Sequence, residues 1–413
     1  MMSGSSGDTS ASPPLPQPLR DRRVAMGVSG SIAAYKSFEL ARRLEDAGAT
    51  VDVVLTRNAS RFAPAFTFRN LVRGSVVDDM WTTDDVAEVH VAIGQRADVF
   101  VVAPASATTI AKMAQGIGDS MVSLTALATP APMAVAPAMD ATMYASAAVQ
   151  ANVETLKARG VVVIGPERGR LASGAWGIGR MVEPVEIAGA VRGVLGRTSG
   201  DLRGRHVVVT AGGTREPIDA VRFVGNRSSG RMGFALAEAA RDRGAAVTLV
   251  TTQAPPPGLY GVVMVRVETA LEMQAAIGER LPGTDALVMA AAVADYRPTE
   301  VVEGKIKKSG DDGLTVAMEQ NPDILREASG RLVKVGFAAE TDAVEENARA
   351  KVASKGLDLI VANDVSAADS GFGAETNAVT LIGGDGVAQA LPLLHKYDVA
   401  MHVLDRVATL LAR

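Results

Sequence analysis

A chain of 413 residues with 47% hydrophobic and 21% charged side chains has the composition of a globular protein long enough for two cores. Its net charge of −4, without a dense basic tract, excludes a general nucleic-acid binder, and no apolar run approaches the ~18 residues of a membrane span. The absence of cysteine removes disulfides, thiolate metal sites and cysteine nucleophiles together, and His90, His206, His395 and His402 are too widely spaced to suggest a zinc site. Residues 1–20 are rich in Ser, Pro and Gly and lack the apolar core of a signal peptide. They read as a disordered tail on a cytoplasmic protein.

From about residue 23, strand-like and helix-like stretches alternate. RRVAMGVSG reads as a strand entering a Gly-rich turn, and SIAAYKSFELARRLEDAG as an amphipathic helix closed by glycine. TVDVVLT is the next strand. ADVFVVAPAS and APMAVAPAM are nearly continuous apolar runs, which suit parallel strands covered on both faces. Before them, EVHVAIG leaves His90 open to two readings, a structural strand residue or a catalytic one.

Near residue 200 the polar stretch GRTSGDLRGR interrupts the pattern, and the grammar then restarts. HVVVTAGG is a strand into glycine, GNRSSGRMGFALAEAA a loop leading a helix, and AAVTLVTT and DALVMAAAVADY further strands. NAVTLI, GGDG and VAQALP read as a hairpin, followed by a helix from about His395. The expectation is an α/β protein of two doubly wound units, residues 21–195 and 205–413, with a linker at 196–204.

Each unit opens with a Gly-rich strand-to-helix turn, whose backbone N–H groups and helix dipole favour an anion. The spacing around Gly27 and Gly30 lacks the three-glycine dinucleotide fingerprint. The second strands end in Thr56-Arg57 and Thr251-Thr252, with no carboxylate for a ribose diol. A mononucleotide or flavin phosphate fits these residues better, and tight turns required by the fold alone are the competing reading.

GVSGSIAAYK, LTRNASRF, VHVAIGQRADVFVVAPASATTIAKMAQG, APAMDATMY and GRLASGAWGIGRM resemble, in order, the landmarks of flavin-dependent cysteine decarboxylases. TAGGTREPIDAVRFVGNRSSGRMG, AAAVADYRP, KIKK, NPDI, VGFAAET and LIVANDVS resemble phosphopantothenate–cysteine ligase. The order and fusion resemble the bifunctional bacterial enzymes of coenzyme A synthesis over about residues 22–413. The resemblance implies a flavodoxin-like flavoprotein domain followed by a Rossmann-like ligase domain. It implies FMN at Gly27, Ser29, Gly30, Ser31, Thr56, Ser106 and Thr109, with His90 as an active-site base or orienter. For the ligase it implies CTP, which activates a carboxylate as an acyl-cytidylate. CTP contacts then fall at Met289, Ala290, Ala291, Asn321, Pro322, Asp323 and Ile324, with Lys305 as the main cation. By the same resemblance Asp295 would be the magnesium-side or ribose-side group and Phe337 would pack near the cytosine; on its own Phe337 reads equally well as a core residue. Lys351 and Lys355, four apart on one helix face, are assigned to the nucleotide; on their own they would pair with Glu345 or Glu346. Asn226 would handle the acyl-cytidylate, since an amide both donates and accepts, although a turn Asn is the plain alternative. Substrate contacts are implied at Asn226, Ala291, Arg180 and Met181. Flavin-domain trimers and ligase-domain dimers imply a dodecamer-type particle.

Three positions depart from that pattern. Asp140 stands where the similar sequences carry an amide facing the substrate carboxylate, Ser173 where they carry a cysteine that donates a proton, and Thr108 where they carry asparagine. A serine hydroxyl is a far weaker acid than a thiol of pKa ~8.5. The expectation is decarboxylation with a different proton donor, and the alternative is a ligase whose flavin domain is only an oligomerisation scaffold.

Overall fold

The computed structural model describes residues 13–79, 88–307, 313–340, 344–364 and 373–413. In the first unit, strands β1 (Arg23–Val28), β2 (Thr50–Leu55), β3 (Val76–Val77), β4 (Val99–Ala105), β5 (Met133–Pro137) and β6 (Val162–Val163) form one parallel sheet, ordered β3-β2-β1-β4-β5-β6. Without the short edge strand β3, the remaining five run in the 2-1-3-4-5 order of flavodoxin-like folds. Alternation explains why these strands read as unbroken apolar runs. Val24, Met26, Val53, Val99 and Val101 enter one core layer, while Ala25, Val54, Phe100 and Val102 enter the layer on the other face.

The second unit repeats the plan. β7 (His206–Ala211), β8 (Ala246–Thr251), β9 (Val263–Arg266), β10 (Ala286–Met289), β11 (Val333–Glu340), β12 (Leu359–Asp364), β13 (Val379–Gly383) and β14 (Ala388–Ala390) are ordered β9-β8-β7-β10-β11-β12-β13-β14. The first six are parallel; β13 and β14 are the expected hairpin, added antiparallel at the edge. The helices that matter below are α1 (Lys36–Asp46), α2 (Val89–Arg96), α3 (Ala107–Gln115), α4 (Ala141–Ala145), α5 (Pro184–Ser199), α6 (Arg231–Asp242), α7 (Val344–Lys355) and α8 (Lys396–Leu411). Among the described residues no helix is long and apolar enough to cross a membrane.

Four local expectations change. Residues 1–12 of the expected tail lie outside the described residues, but its end is packed: Leu19 is buried in the first core and its N–H donates to Ala47 O at 2.8 Å. A leucine among prolines still gains by leaving water. The 196–204 segment is helical as far as Ser199, because α5 continues past Leu195 and Gly196, which are buried. His90 sits on helix α2, not on a strand. The strand read at DALVMAAAVADY stops at Met289, and its small residues continue as a loop joined to β7's outlet by the Gly213–Ala292 bridge.

Helix α6 crosses β7 closely at Gly233. A Cβ there would lie 2.6 Å from Thr210 O and from the Ala211 Cβ. Gly233→Ala is therefore expected to destabilise the second unit by about 1–3 kcal/mol, the usual cost of overpacking. A lower urea midpoint with an unchanged m-value checks it.

Candidate active sites

Open parallel sheets bind ligands beyond the carboxyl ends of their strands, at the point where strand order reverses. Here those points lie between β1 and β4 and between β7 and β10. Each opens into a cavity.

The N-terminal cavity has a volume of about 1,090 Å³. Its wall takes Gly30 and Ser31 from the turn after β1, Thr56 from the end of β2, and Ser106, Thr108 and Thr109 from the start of α3. Glycine is required at position 30, where a Cβ would lie 2.6 Å from the Asn58 Cβ. Ser106 caps α3, accepting from Thr109 N at 3.4 Å, while its hydroxyl meets the Thr109 hydroxyl at 3.1 Å. Hydroxyls and helix-start N–H groups of this kind suit a phosphate. The opposite wall is a two-stranded ribbon, Glu167–Arg170 paired with Trp176–Arg180, which brings Ser173, Arg180 and Met181 to the cavity with Asp140. Ser173 Oγ donates to Asp140 Oδ2 at 2.7 Å, and Asp140 Oδ1 caps α4 by accepting from Thr142 N at 3.0 Å. The Ser173 hydroxyl and then the Thr142 N–H hold the Asp140 carboxyl below its ordinary range.

Three expected residues are absent from this wall. Gly27 lies inside β1, against the side chains of Val122, Phe100 and Val102. Ser29 is fully buried; it donates to Pro104 O at 2.8 Å and accepts from Ser106 N at 2.8 Å, which ties the β1 outlet to the β4 outlet. It positions the cradle rather than lining it. His90 is partly buried on α2 and is not part of the wall within one chain. Lys36, which the sequence reading missed, reaches Glu183 at 2.9 Å and Met181 O at 3.2 Å, fixing the end of the ribbon. It is the last residue of GVSGSIAAYK, whose glycines and serines drew the attention to the phosphate cradle instead.

The C-terminal cavity, about 550 Å³, gathers Asn226, Met289, Ala290, Ala291, Asp295, Asn321, Pro322, Asp323, Ile324, Phe337, Lys351 and Lys355. Thr210 and Thr214, both fully buried, accept from Ala291 N at 3.0 Å and Ala294 N at 2.9 Å, pinning the 290–295 loop. Asn321 donates to Ala294 O at 2.8 Å. Asn226 Nδ2 donates to Val293 O at 3.0 Å. The loop then reaches α6 through Gly230, whose φ of +75° only glycine adopts easily. Lys355 pairs with Asp323 at 3.0 Å; the side chains of Glu345 and Glu346, its alternative partners, lie outside the described residues. Lys305 is exposed and is not part of the cavity wall. Its neighbour Ile306 donates its N–H to the buried Asp219 carboxylate at 3.2 Å. Burial opposes the charge on Asp219, but the N–H groups of Val221, Arg222 and Ile306, with Arg222, hold its carboxyl below the usual range.

The flavoprotein family matches residues 13–196, and the DNA/pantothenate metabolism flavoprotein C-terminal domain matches residues 202–411. The coenzyme A biosynthesis bifunctional protein CoaBC of Bacillus subtilis (strain 168) is 42% identical over 95% of this chain and 98% of its own. That of Escherichia coli (strain K12) is 43% identical over 95% and 98%. The chain belongs to the CoaBC family. A solved C-terminal domain of a CoaBC protein is 39% identical, covering 52% of this chain and 99% of that one, with a TM-score of 0.44.

One cavity residue of this CoaBC member escaped the sequence reading. Lys396 begins α8, far from any glycine loop, and lines the C-terminal cavity beside Asn226 and Arg231. It donates to Ala374 O and Thr376 O. Burial pushes its pKa down to about 8; nearby Glu375 opposes that and Arg231 adds to it. A polyphosphate bound in this cavity would favour the charged amine, and its affinity would then weaken as pH rises through about 8. Stability moves the other way. With the folded pKa below the unfolded ~10.4, the penalty of burying this charge is full below pH 8 and is relieved above it. Lys396→Met should bind nucleotide weakly across the range and lose that pH dependence, as titration calorimetry at pH 7 and 9 would show.

Proposed function

We propose that the chain joins 4'-phosphopantothenate to cysteine with CTP in its C-terminal cavity, and decarboxylates the resulting 4'-phosphopantothenoylcysteine with FMN in its N-terminal cavity. The observation that carries this reading is the presence of two separate cavities, each at the strand-order reversal of its own sheet, in a member of a bifunctional family. Nothing in the relatives' names supports a flavin unit reduced to a scaffold.

In the ligase, the substrate carboxylate must attack a phosphoryl group that already carries negative charge. Lys351, Lys355 and Lys396 lower that barrier electrostatically, and the N-terminus of α6 adds its dipole. Magnesium comes with the nucleotide. Asp323 is engaged by Lys355 and caps the Ile324–Glu327 turn, which leaves Asp295 as the wall's other carboxylate; one carboxylate plus phosphate oxygens suits this ion. Lys305 stands outside this wall, on the segment that the Asp219 carboxylate anchors through the Ile306 N–H. In the decarboxylase, Gly30, Ser31, Thr56, Ser106 and Thr109 would hold FMN, whose reversible two-electron chemistry makes the cysteine carboxylate labile. Arg180 and Met181 would bound the substrate on the ribbon side.

A dodecamer built from flavin-domain trimers and ligase-domain dimers in the cytoplasm completes the proposal. Such a particle would cover the exposed Ile32, Tyr35, Phe62 and Phe66 of the first unit, and Val221, Phe223 and Val224 of the second. The test uses purified, FMN-loaded protein. Pyrophosphate release from CTP that requires 4'-phosphopantothenate, followed by CO2 release once cysteine is added, is the expected result. Absence of either product overturns the corresponding half.

A further inference from the structure

Decarboxylating an amino-acid carboxylate consumes one proton, which must be delivered to the carbon that loses CO2. This chain has no thiol to deliver it. Building on the decarboxylase reading above, we propose that Asp140 is the catalytic acid that protonates this carbon, with Ser173 as the residue that positions it.

The wall of the N-terminal cavity carries two carboxylates, Asp119 and Asp140. Asp119 is paired with Lys112 at 2.7 Å. No cation among the described residues pairs with Asp140, whose partners are the Ser173 hydroxyl and the Thr142 N–H. The other charged groups of the wall are Lys36, Arg57, Arg170 and Arg180; Lys36 and Arg180 are both engaged by Glu183. Before substrate enters, Asp140 is therefore a carboxylate held by two neutral donors. In the decarboxylase reading the substrate carboxylate enters this cavity beside Asp140, where the similar sequences carry the amide that faces it. Two adjacent carboxylates do not both stay ionised, and one proton from solvent is shared between them.

The chemistry requires that proton to rest on Asp140, because only an ionised substrate carboxylate loses CO2. A flavin held here would take a hydride equivalent from the thiol-bearing Cβ while the thiol proton leaves to solvent, and the bond from Cα to the carboxylate then breaks. Its electron pair forms the Cα–Cβ double bond, the C–S π pair moves to sulphur, and CO2 departs. Asp140 then gives its proton to Cα and ends as the carboxylate it was. FMN held here would return to Cβ the hydride equivalent it had taken, the C–S π pair would move to sulphur, and the thiolate would recover a proton from solvent, leaving the saturated thiol. Ser173 is suited to its place because a hydroxyl donates to the carboxylate and accepts from the acid. It stays bonded in both charge states.

The test compares wild type with Asp140→Asn, Ser173→Ala and the double variant Asp140→Asn/Ser173→Cys, all full-length. Substrate binding to the flavin-free proteins, measured calorimetrically in buffers of different ionisation heat, should take up roughly one proton in wild type and none in Asp140→Asn. With FMN loaded, wild type should yield one saturated thiol per CO2. Asp140→Asn should still release CO2, but should accumulate the ene-thiol and reduced flavin, with saturated thiol per CO2 down by on the order of 10². In the double variant the new thiol should restore the ratio, with a pH profile moved toward ~8.5. Ser173→Ala should shift the wild-type pH profile. An Asp140→Asn protein that takes up the proton and keeps the one-to-one ratio overturns the assignment alone. A wild type that releases no CO2 overturns the decarboxylase reading and this assignment with it.

Discussion

Asn226→Asp is expected to slow CTP-dependent ligation by a factor on the order of 10²–10³, the usual cost of losing one preorganised donor to a developing oxyanion. Release of CO2 from supplied 4'-phosphopantothenoylcysteine should not change. The asymmetry follows from the architecture, since Asn226 lines only the C-terminal cavity. Its Nδ2 donates to Val293 O at 3.0 Å, which fixes the amide plane at the mouth of the loop before α6. A Cβ at Gly213 would lie 2.4 Å from the Asn226 backbone oxygen, so the main chain that carries the amide is closely packed. A carboxylate of the same shape loses the donor, faces the Val293 carbonyl with like polarity, and adds negative charge where the nucleotide phosphates are proposed to sit. Because the amide is proposed to act on the intermediate, kcat should fall while the KM for CTP changes little. Steady-state pyrophosphate release over a range of CTP concentrations separates the two. A rise in KM at constant kcat would reduce Asn226 to a nucleotide contact.

The parts of the molecule legible in the sequence are those whose physics is local. Both sheets follow from apolar runs whose alternate residues feed opposite core layers, as Val207 and Val208 do. The wall segments 289–295 and 321–324 are contiguous, so one motif carries several neighbours into the cavity at once. Elsewhere the deciding information is tertiary. EVHVAIG alternates like a strand, yet its backbone enters a helix through Glu88 at φ 63°, and Gly94 permits close approach to the chain at Ala128 and Thr129. That contact outweighs the β preference of its valines. Ser29 and Ser31 look equivalent in SGS; only the fold shows that one hydroxyl is buried under Pro104 while the other faces the cavity. Lys396 and Asn377 reach the ligase wall from segments far along the chain, with no spacing to connect them to Asn226. The Asp140–Ser173 bond joins two departures that sequence reading could only note separately.

Asp242→Ala is expected to cost about 3–5 kcal/mol of stability, the penalty for stranding buried charges by removing their partner. Asp242 ends α6 in the second unit, where the helix dipole disfavours a carboxylate, so its place there needs compensation. Two arginines supply it. Arg192 of α5, in the first unit, reaches Asp242 Oδ2 at 3.1 Å, and Arg241 grips Oδ1 through Nε at 2.9 Å and a terminal nitrogen at 2.6 Å. The Tyr397 hydroxyl donates to Oδ2 at 2.9 Å. Relative exposures of 14% for Arg192, 3% for Arg241 and 7% for Asp242 mean that solvent cannot replace the lost carboxylate; Glu238 still holds Arg192 but lies 4.0 Å from Arg241, which loses its close partner. Burial opposes the charge on Arg192, and Asp242 and then Glu238 hold it protonated beyond its ordinary range. Burial, and then Asp242, keep Tyr397 neutral well above its usual pKa. Arg241 also donates to Gly258 O at 2.5 Å, the carbonyl against which Gly189 of α5 packs without space for a Cβ, so the loss spreads along the contact between the units. Glu238→Ala is the control: its carboxylate is more exposed and its removal leaves Arg192 paired to Asp242, with an expected cost of about 1 kcal/mol or less. Scanning calorimetry of both variants decides the matter. Equal midpoints for Asp242→Ala and Glu238→Ala would mean that the buried carboxylate does not hold the two units together.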